Sequence, residues 1–293
     1  MTTWLCPLDF QTLHGSAISR DWSATDERRV IVAKGVFFHT FKMSTRNKCY
    51  PQWVRLTSSA ILILIVGSVF GQPAPKKTSL TLKPLRETSK RHEIKCKVPV
   101  FGGGGLVARL ANRTIALAIQ EDVKMLKSRV AEDWAEKDHT PPAPYFLGIE
   151  PDVSLATDQL ISLHLSAESF TGGAHGSLWL PAYNFGIVKG KPKKLTLQDL
   201  FLKSRDANDI VSRIVIAELR ENGASSATSG GMTELSEHQA NNFVISKKGL
   251  TFLFEPYSAG SWAEGMYMIE VPFSKLYGNL DPNGPLKSLF RKR

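Results

Sequence analysis

Thr171-Gly172-Gly173-Ala174-His175-Gly176 is the densest cluster of conformationally unusual residues in the sequence. A strand-like run leads into it from Gln159 to Phe170, and another leaves it from Ser177 to Ile187. Glycine adopts positive φ angles and allows close backbone approach, both of which a Cβ atom opposes. We therefore predict a tight structural turn near the middle of the fold, which holds one ionisable ring, His175, among Gly172, Gly173 and Gly176.

The run before this turn alternates strictly between apolar and polar side chains. One face carries the apolar side chains of Ile161, Leu163, Leu165 and Ala167. The other face carries the polar side chains of Ser162, His164, Ser166 and Glu168. A period of two residues is typical of an antiparallel sheet with one face in the core and the other in water.

Two longer segments have the three- and four-residue periodicity of amphipathic helices. The first runs from Leu106 to Lys137 and the second from Asp206 to Asn222, where Asp206 suits the N-cap position. The predicted buried face of the second helix consists of Ile210, Val211, Ile214 and Ala217. The strands and helices together predict an α+β fold, in which two main helices pack on one face of an antiparallel sheet.

An export segment is predicted between Met43 and Gly71. Basic residues precede a short apolar core at residues 56–70, and Gly71 follows at the expected cleavage point. The apolar core is shorter than the roughly 20 residues that span a bilayer, which favours a cleaved signal peptide over a membrane anchor. Both interpretations predict an exported protein, periplasmic or extracellular, with membrane contact only if residues 56–71 are uncleaved.

The rest of the chain divides into four further segments by composition. Residues 1–42 have no clear period and read as an unstructured or mis-assigned leader, and residues 72–91 read as a linker. Residues 92–278 contain the predicted α+β domain, and residues 279–293 form a basic tail.

The charge balance bears on the choice of partners. The net charge is +10 for the whole chain, and from Gln72 onward 29 Lys and Arg face 23 Asp and Glu, a net charge of +6. The sequence has no basic run interleaved with aromatic residues, which argues against nucleic acid as a binding partner. A moderate positive charge is typical of a solvated surface, and it also suits attraction to the anionic polymers of a cell envelope.

Motifs that hold a metal or a cofactor are not found in the sequence. The three cysteines, Cys6, Cys49 and Cys96, lack metal-ligand spacing. The glycines at 102–105 lack both the following Lys-Ser/Thr of a phosphate loop and the spacing of a dinucleotide site. We therefore predict no cofactor and no metal, and we expect Cys96 to be a buried, inert thiol.

His175 has two interpretations. As a general base or metal ligand it needs partners, and Glu168 and Glu255 are the carboxylates expected near it if the protein is an enzyme. As a structural residue it hydrogen-bonds backbone groups and locks the glycine turn. The structural interpretation is favoured because no spacing in the sequence guarantees that these groups share one face.

A second unusual loop runs from Pro256 to Gly265. It carries Tyr257 and Trp262 among small residues and ends at Gly265, which is predicted to be a structural glycine. Aromatic residues on such a loop either belong to the core or lie exposed, where they suit contacts with a sugar or a protein. His175, Tyr257 and Trp262 are therefore the predicted ligand-binding residues.

Four sequence pieces occur together in a recognisable order. They are Leu110-Ala-Asn-Arg-Thr-Ile115, Ser169-Phe-Thr-Gly-Gly-Ala-His-Gly176, Leu195-Thr-Leu-Gln-Asp-Leu-Phe201, and Gly249-Leu-Thr-Phe-Leu-Phe-Glu-Pro-Tyr257 with its continuation to Leu276. Their order resembles an extracytoplasmic domain of unknown function that is shared by RsiV-like anti-sigma factors and PdaC-like peptidoglycan deacetylases. The resemblance covers roughly Ile94 to Leu276.

The resemblance implies an α+β domain outside the cytoplasmic membrane. In RsiV-like proteins the domain is a sensor that binds lysozyme, and in PdaC-like proteins it accompanies a separate catalytic domain whose signatures match nothing in this chain. The family commonly has Ala-Pro-Tyr-Ala where this chain has Gly260-Ser-Trp-Ala263, which departs from the pattern for lysozyme recognition. We expect an exported, non-catalytic binding or sensing domain for a cell-wall glycan or a protein such as lysozyme. The alternatives are a cell-wall hydrolase or deacetylase-like enzyme that uses His175, and a membrane-anchored sensor.

Overall fold

The computed structural model describes residues 77–136 and 143–290, and all of them belong to one compact unit. The predicted leader, the predicted signal peptide, the first residues of the linker and the last three residues of the tail lie outside the described residues. Within the described ranges, no helix combines the length and the apolar character that crossing a bilayer requires.

A seven-stranded sheet forms the larger part of the domain. Its strand order is β1-β2-β3-β4-β6-β7, with β5 also paired to β4, and every pairing is antiparallel except the one between β2 and β3. The strands are β1 (Leu80–Thr88), β2 (His92–Phe101), β3 (Tyr145–Ala156), β4 (Leu160–Phe170), β5 (Ser177–Trp179), β6 (Ala182–Val188) and β7 (Lys191–Lys194).

A second, three-stranded antiparallel sheet has the order β10-β9-β8. Its strands are β8 (Phe243–Ile245), β9 (Gly249–Phe254) and β10 (Tyr267–Pro272). The predicted α+β fold with antiparallel pairing and two main helices is confirmed, and the structure divides the strands between two sheets.

Each sheet has its own main helix. Helix α1 (Leu106–Asp133) packs on the large sheet, and buries Ile115, Ile119 and Leu126 against it. Helix α2 (Ala207–Glu221) packs on the small sheet beside β10. The short helices are α3 (Ser225–Thr228), α4 (Glu237–Asn241), α5 (Phe273–Leu276) and α6 (Lys287–Phe290).

The face of β4 that the alternation assigned to water is buried where the small sheet covers it. Ser162 is fully buried, and its hydroxyl donates to Asn184 Oδ1 at 2.7 Å and accepts from the Ile245 backbone N–H at 2.6 Å. Asn184 Nδ2 donates to the Phe243 carbonyl at 2.7 Å. The expected wet face is wrong at Ser162 and His164, since both are buried, and the Ser162 hydroxyl hydrogen-bonds strand β8 instead of water.

The buried face of α2 differs from the prediction. Asp206 caps the helix as expected, since its side chain accepts from the Asp209 N–H. Val211 is buried, whereas Ile210 and Ile214 are half-buried and Ala217 is exposed. The core face runs instead through Ala207, Val211, Val215 and Leu219, at four-residue steps. The stripe is rotated because Ser212, a polar residue, is also buried and hydrogen-bonds the Leu235 N–H.

Three segments without a strong apolar period in the sequence are ordered. The predicted linker at 72–91 contains β1, whose nine residues are almost all exposed, so the strand has no apolar period that a sequence could reveal. The Ser- and Gly-rich stretch at 224–232 contains α3 and buries Ala227 and Met232. Within the predicted basic tail, Leu280 and Leu286 join the core of the small sheet.

Candidate functional site

Three aromatic rings meet where the glycine turn at 171–176 contacts the loop at 256–265. The rings of His175 and Trp262 stack at a centroid distance of 4.2 Å and an interplanar angle of 19°. The Tyr257 ring packs against the Trp262 ring, with a centroid distance of 5.8 Å and an interplanar angle of 39°. We call these three residues the aromatic surface. The three predicted ligand-binding residues are thus brought together by the fold, although the two segments are far apart in the sequence.

The glycine turn positions His175. Gly172 and Gly173 have φ angles of 87° and 97°, which a residue with a Cβ atom rarely adopts. A Cβ atom on Gly176 would lie 2.8 Å from the Ser169 carbonyl oxygen, so this position also requires glycine. His175 Nδ1 donates to the Gly176 carbonyl at 2.8 Å. Because a carbonyl only accepts, Nδ1 carries a hydrogen, which leaves Nε2 of the exposed ring for contact with a ligand.

Glu264 holds the second loop in place. Its carboxylate accepts from the backbone N–H and the hydroxyl of Ser261 at 2.8 and 2.9 Å, and from those of Ser225 at 3.0 and 2.8 Å. The Tyr267 hydroxyl donates to it at 2.9 Å. Gly265, predicted to be structural, has a φ angle of 76°. The loop is therefore tied to α3 on one side and to β10 on the other.

Tyr257 combines exposure with an unusual backbone. Its φ angle is 71°, in the left-handed region, and the residue is 66% exposed. A left-handed conformation costs a residue other than glycine about 1–2 kcal/mol, and such strain clusters at binding and catalytic sites. The backbone conformation is therefore unfavourable, and burial of the Tyr257 side chain in the core does not compensate for it, since the side chain lies mostly in water.

The hydrogen bonds to Glu264 also set its protonation. The Ser225 backbone N–H, followed by that of Ser261 and the two hydroxyls, lowers the pKa of this carboxyl far below its ordinary value of 4.5. The carboxylate is therefore ionised throughout the physiological range, and in this form it accepts the hydrogen bonds from Ser225, Ser261 and Tyr267.

Acid is expected to release this loop. A carboxyl whose pKa is lowered by folding stabilises the folded state fully above its unfolded value near 4.5, and this stabilisation is lost as the pH falls below that value. Hydrogen exchange at the Ser225 and Ser261 amides is expected to speed up between pH 5 and pH 3, by roughly tenfold per unit of pH beyond the intrinsic trend. The Glu264→Gln variant, which does not titrate, should lack this additional pH dependence. Equal pH profiles in the two proteins would refute the assignment.

The residues proposed for catalysis are less well arranged. Glu168 is exposed at the end of β4 and Glu255 is half-buried after β9. Across residues 77–136 and 143–290, neither carboxylate hydrogen-bonds or ion-pairs with His175, and no three side chains of His, Cys, Asp or Glu are grouped to hold a metal. His164 is buried in the sheet, where desolvation lowers its pKa against the opposing effect of Asp152. The structure thus gives His175 a backbone partner, and places neither Glu168 nor Glu255 in a hydrogen bond with it within the described ranges.

Two supporting residues were missed by the sequence prediction. Ser225 and Glu264 position the aromatic surface without belonging to it. The pattern Ser261-x-x-Glu264 is a capping box, which was a signal in the sequence, and its two reciprocal hydrogen bonds surround a short 3₁₀ turn. The contact with Ser225 had no such signal, because it joins segments 39 positions apart.

The fold and the site together define a two-sheet α+β domain with an exposed aromatic surface. Two family models match it. The one described as "Deacetylase PdaC" matches residues 85–178, and the one described as "Protein of unknown function (DUF3298)" matches residues 198–274. The chain thus matches a domain of unknown function that is shared with PdaC-like proteins, as the four sequence pieces predicted. His175 lies in the first matched segment, and Tyr257 and Trp262 lie in the second.

Solved structures support the same fold. A DUF3298 family member from Bacteroides fragilis is 18% identical, with a TM-score of 0.52, over 74% of this chain and 100% of the other. A DUF3298 family protein from Pseudomonas aeruginosa is 17% identical, with a TM-score of 0.53, over 75% of this chain and 98% of the other. No match was found among curated proteins. The family matches indicate a cell-envelope-associated domain of unknown function.

Proposed function

We propose that this protein is an exported, non-catalytic binding domain of the bacterial cell envelope, which holds a cell-wall glycan on its aromatic surface. The observation that carries the proposal is the convergence of the exposed His175 and Tyr257 with the half-buried Trp262, on two loops that are held by hydrogen bonds. Loops that are fixed before binding lose little entropy when a ligand arrives.

The chemistry of the aromatic surface suits a sugar. A pyranose ring presents C–H groups on its faces and hydroxyl groups at its edge, so it needs flat apolar rings bordered by hydrogen-bonding groups. Tyr and Trp combine an apolar ring with one polar group, which is why they are common where one side of a contact is apolar and the other wet. His175 Nε2 adds a hydrogen-bonding group beside the stacked pair.

Three features of the chain support the cell envelope as the location. The segment at 43–71 has the layout of a signal peptide. The family models that match include one named for a deacetylase, PdaC, and the four sequence pieces resemble a domain that accompanies peptidoglycan deacetylases. The positive charge after Gly71 favours accumulation at anionic envelope polymers.

A second candidate ligand is an envelope protein such as lysozyme. It is favoured by two exposed methionines that directly follow the loop, Met266 and Met268, which are 45% and 48% exposed. Flexible apolar side chains next to an aromatic residue are common in protein contact surfaces. A membrane-anchored sensor that recognises such a protein would use the same surface.

Retention of the full-length chain on purified peptidoglycan and on immobilised lysozyme, at low salt, distinguishes the candidates. We expect retention on peptidoglycan, with little retention on lysozyme. Retention on lysozyme alone, lost in a Met268→Glu variant, would replace the glycan by a protein ligand. Retention on neither material would refute both.

A further inference from the structure

A separate crevice lies on the α1 side of the glycine turn. Its volume is about 210 Å³, and it is bounded by α1 and by the ends of β3, β4 and β5. The helix contributes Asp122, Met125, Leu126 and Arg129, which follow one another at three- and four-residue steps and so share one face. The sheet side contributes Leu147, Ser169, Thr171 and Trp179.

The crevice has an acceptor without a donor from the described part of the protein. Asp122 is half-buried, and within residues 77–136 and 143–290 its carboxylate makes no hydrogen bond or ion pair. Burial, with a smaller contribution from the neighbouring Glu121, raises the pKa of this carboxyl. Asp122 is only half-buried and its carboxylate has no donor among the described residues, so it is available to accept from a ligand N–H or O–H group.

The crevice also has a fixed donor. Arg129 donates its Nε–H to Asp133 at 2.8 Å, and Asp133 in turn accepts from the Tyr145 hydroxyl. These contacts restrain the guanidinium, which keeps further N–H groups on a side chain that is still 59% exposed. Arg129 therefore offers a donor to a ligand carbonyl oxygen in the same crevice that Asp122 lines.

Apolar groups complete the crevice. Met125 is 55% exposed although it lies on the crevice face, and Leu126, Leu147 and Trp179 are apolar neighbours in the lining. A ligand that fits needs an N–H donor, a carbonyl acceptor and a methyl group within a few ångströms of one another. The acetamido group of an N-acetylated amino sugar has these three features. The crevice is also small, below the roughly 300 Å³ of typical sites for drug-sized ligands, so it suits a single sugar residue.

We propose that the crevice between Asp122, Arg129 and Trp179 is a subsite for one N-acetylhexosamine residue, read through its acetamido group. The subsite rests on the proposed function, because it extends the same glycan site across the turn. Thr171 lines the crevice and His175 belongs to the aromatic surface, and four residues of chain span at most about 13 Å. One glycan chain laid over the glycine turn contacts both places.

Larger hollows are less suited to a ligand. The groove of about 590 Å³ beside α3 and α4 is lined by polar side chains that already bond one another. Asn208 donates to Glu234 and to the Leu235 carbonyl, and Gln239 donates to the Ser258 carbonyl. Asn208 and Gln239 in this lining are thus already bonded within the protein, whereas Asp122 in the crevice is not.

A titration of the 15N-labelled full-length chain tests the subsite. The probes are N-acetylglucosamine and glucose, which differ at one position, where glucose has a hydroxyl instead of the acetamido group. We expect N-acetylglucosamine to shift the Trp179 indole signal to saturation, and glucose to bind at least tenfold more weakly. The Asp122→Ala variant should weaken N-acetylglucosamine about tenfold, since a hydrogen bond to a charged group is lost. The Glu121→Ala variant removes an exposed carboxylate one position away and should bind like the wild type.

Equal shifts with the two sugars, or unchanged affinity in Asp122→Ala, would overturn the subsite. The Trp262→Ala variant separates it from the proposed function. Retention of the wild type on peptidoglycan through Trp262, without any shift at Trp179, refutes the subsite alone. The opposite outcome is a shift at Trp179 that depends on Asp122, with no retention of the protein on peptidoglycan. This outcome supports the sugar subsite and refutes the glycan polymer as the ligand of the aromatic surface.

Discussion

The Tyr257→Ala variant is expected to bind soluble peptidoglycan fragments about 30-fold more weakly than the wild type. An exposed aromatic anchor at the centre of a binding surface contributes about 2 kcal/mol or more, and each 1.4 kcal/mol is about tenfold in affinity. Tyr257 is 66% exposed and contacts Trp262, so its ring is available to a ligand without unfolding. Calorimetric titration with the fragments measures the change.

The matched control is Tyr277→Ala. Tyr277 is the same residue type and is 78% exposed, and it lies at the end of α5, outside the two loops of the aromatic surface. It should bind like the wild type. If both variants lose affinity equally, exposed tyrosines contribute nonspecifically and the aromatic surface is not the site.

A Tyr257→Gly variant separates binding from stability. Both Tyr257→Gly and Tyr257→Ala lack the ring, but only alanine keeps a Cβ atom at a φ angle of 71°. The glycine variant is therefore expected to be about 1 kcal/mol more stable to urea than the alanine variant, and to bind as weakly. If glycine stabilises the backbone at this position, the tyrosine is not there for stability. That result would indicate that Tyr257 serves binding.

The Asn184→Ala variant is expected to lower the free energy of unfolding by about 3 kcal/mol. It removes the acceptor of the Ser162 hydroxyl and the donor to the Phe243 carbonyl at the buried junction of the two sheets. Each buried polar group left without a partner costs about 1–3 kcal/mol. For a domain of this size the melting temperature should fall by roughly 6–12 °C. Urea unfolding followed by circular dichroism measures the change in free energy.

Asn283→Ala is the control for this variant. Asn283 is exposed, and its side chain makes no hydrogen bond within the described ranges. Its substitution should leave stability within about 0.5 kcal/mol of the wild type. A small effect of Asn184→Ala would mean that the junction is held by apolar contacts, such as those of Phe243 and Phe252, and not by the buried network.

The elements with strong periodicity could be predicted from the sequence. Helices α1 and α2 and strand β4 were predicted close to their observed bounds, because each has an apolar stripe or alternation that the core requires. Strand β1 was missed because it lies at the edge of the sheet with both faces largely exposed. The strand predicted from Ser177 to Ile187 is interrupted before Ala182, where Pro181 lacks an N–H group for pairing.

The second sheet could not be foreseen from local patterns. Alternation shows that polar residues of β4 share a face, but it does not show that Ser162 and Asn184 would find partners on β8, far along the chain. The sequence predicted the three residues of the aromatic surface, but it did not predict that they contact one another. His175 and Trp262 stack only because the glycine turn and the loop held by Glu264 meet in the folded chain.

The most direct test of the glycan proposal is sedimentation with purified, protein-free peptidoglycan at about 0.5 M salt. At that ionic strength the Debye length falls to roughly 4 Å, so attraction of a basic protein to an anionic polymer is largely screened. We predict that the wild type still sediments with the polymer and that Trp262→Ala does not. Complete loss of wild-type sedimentation at high salt, or equal sedimentation of the two proteins, would contradict the proposed role of the aromatic surface.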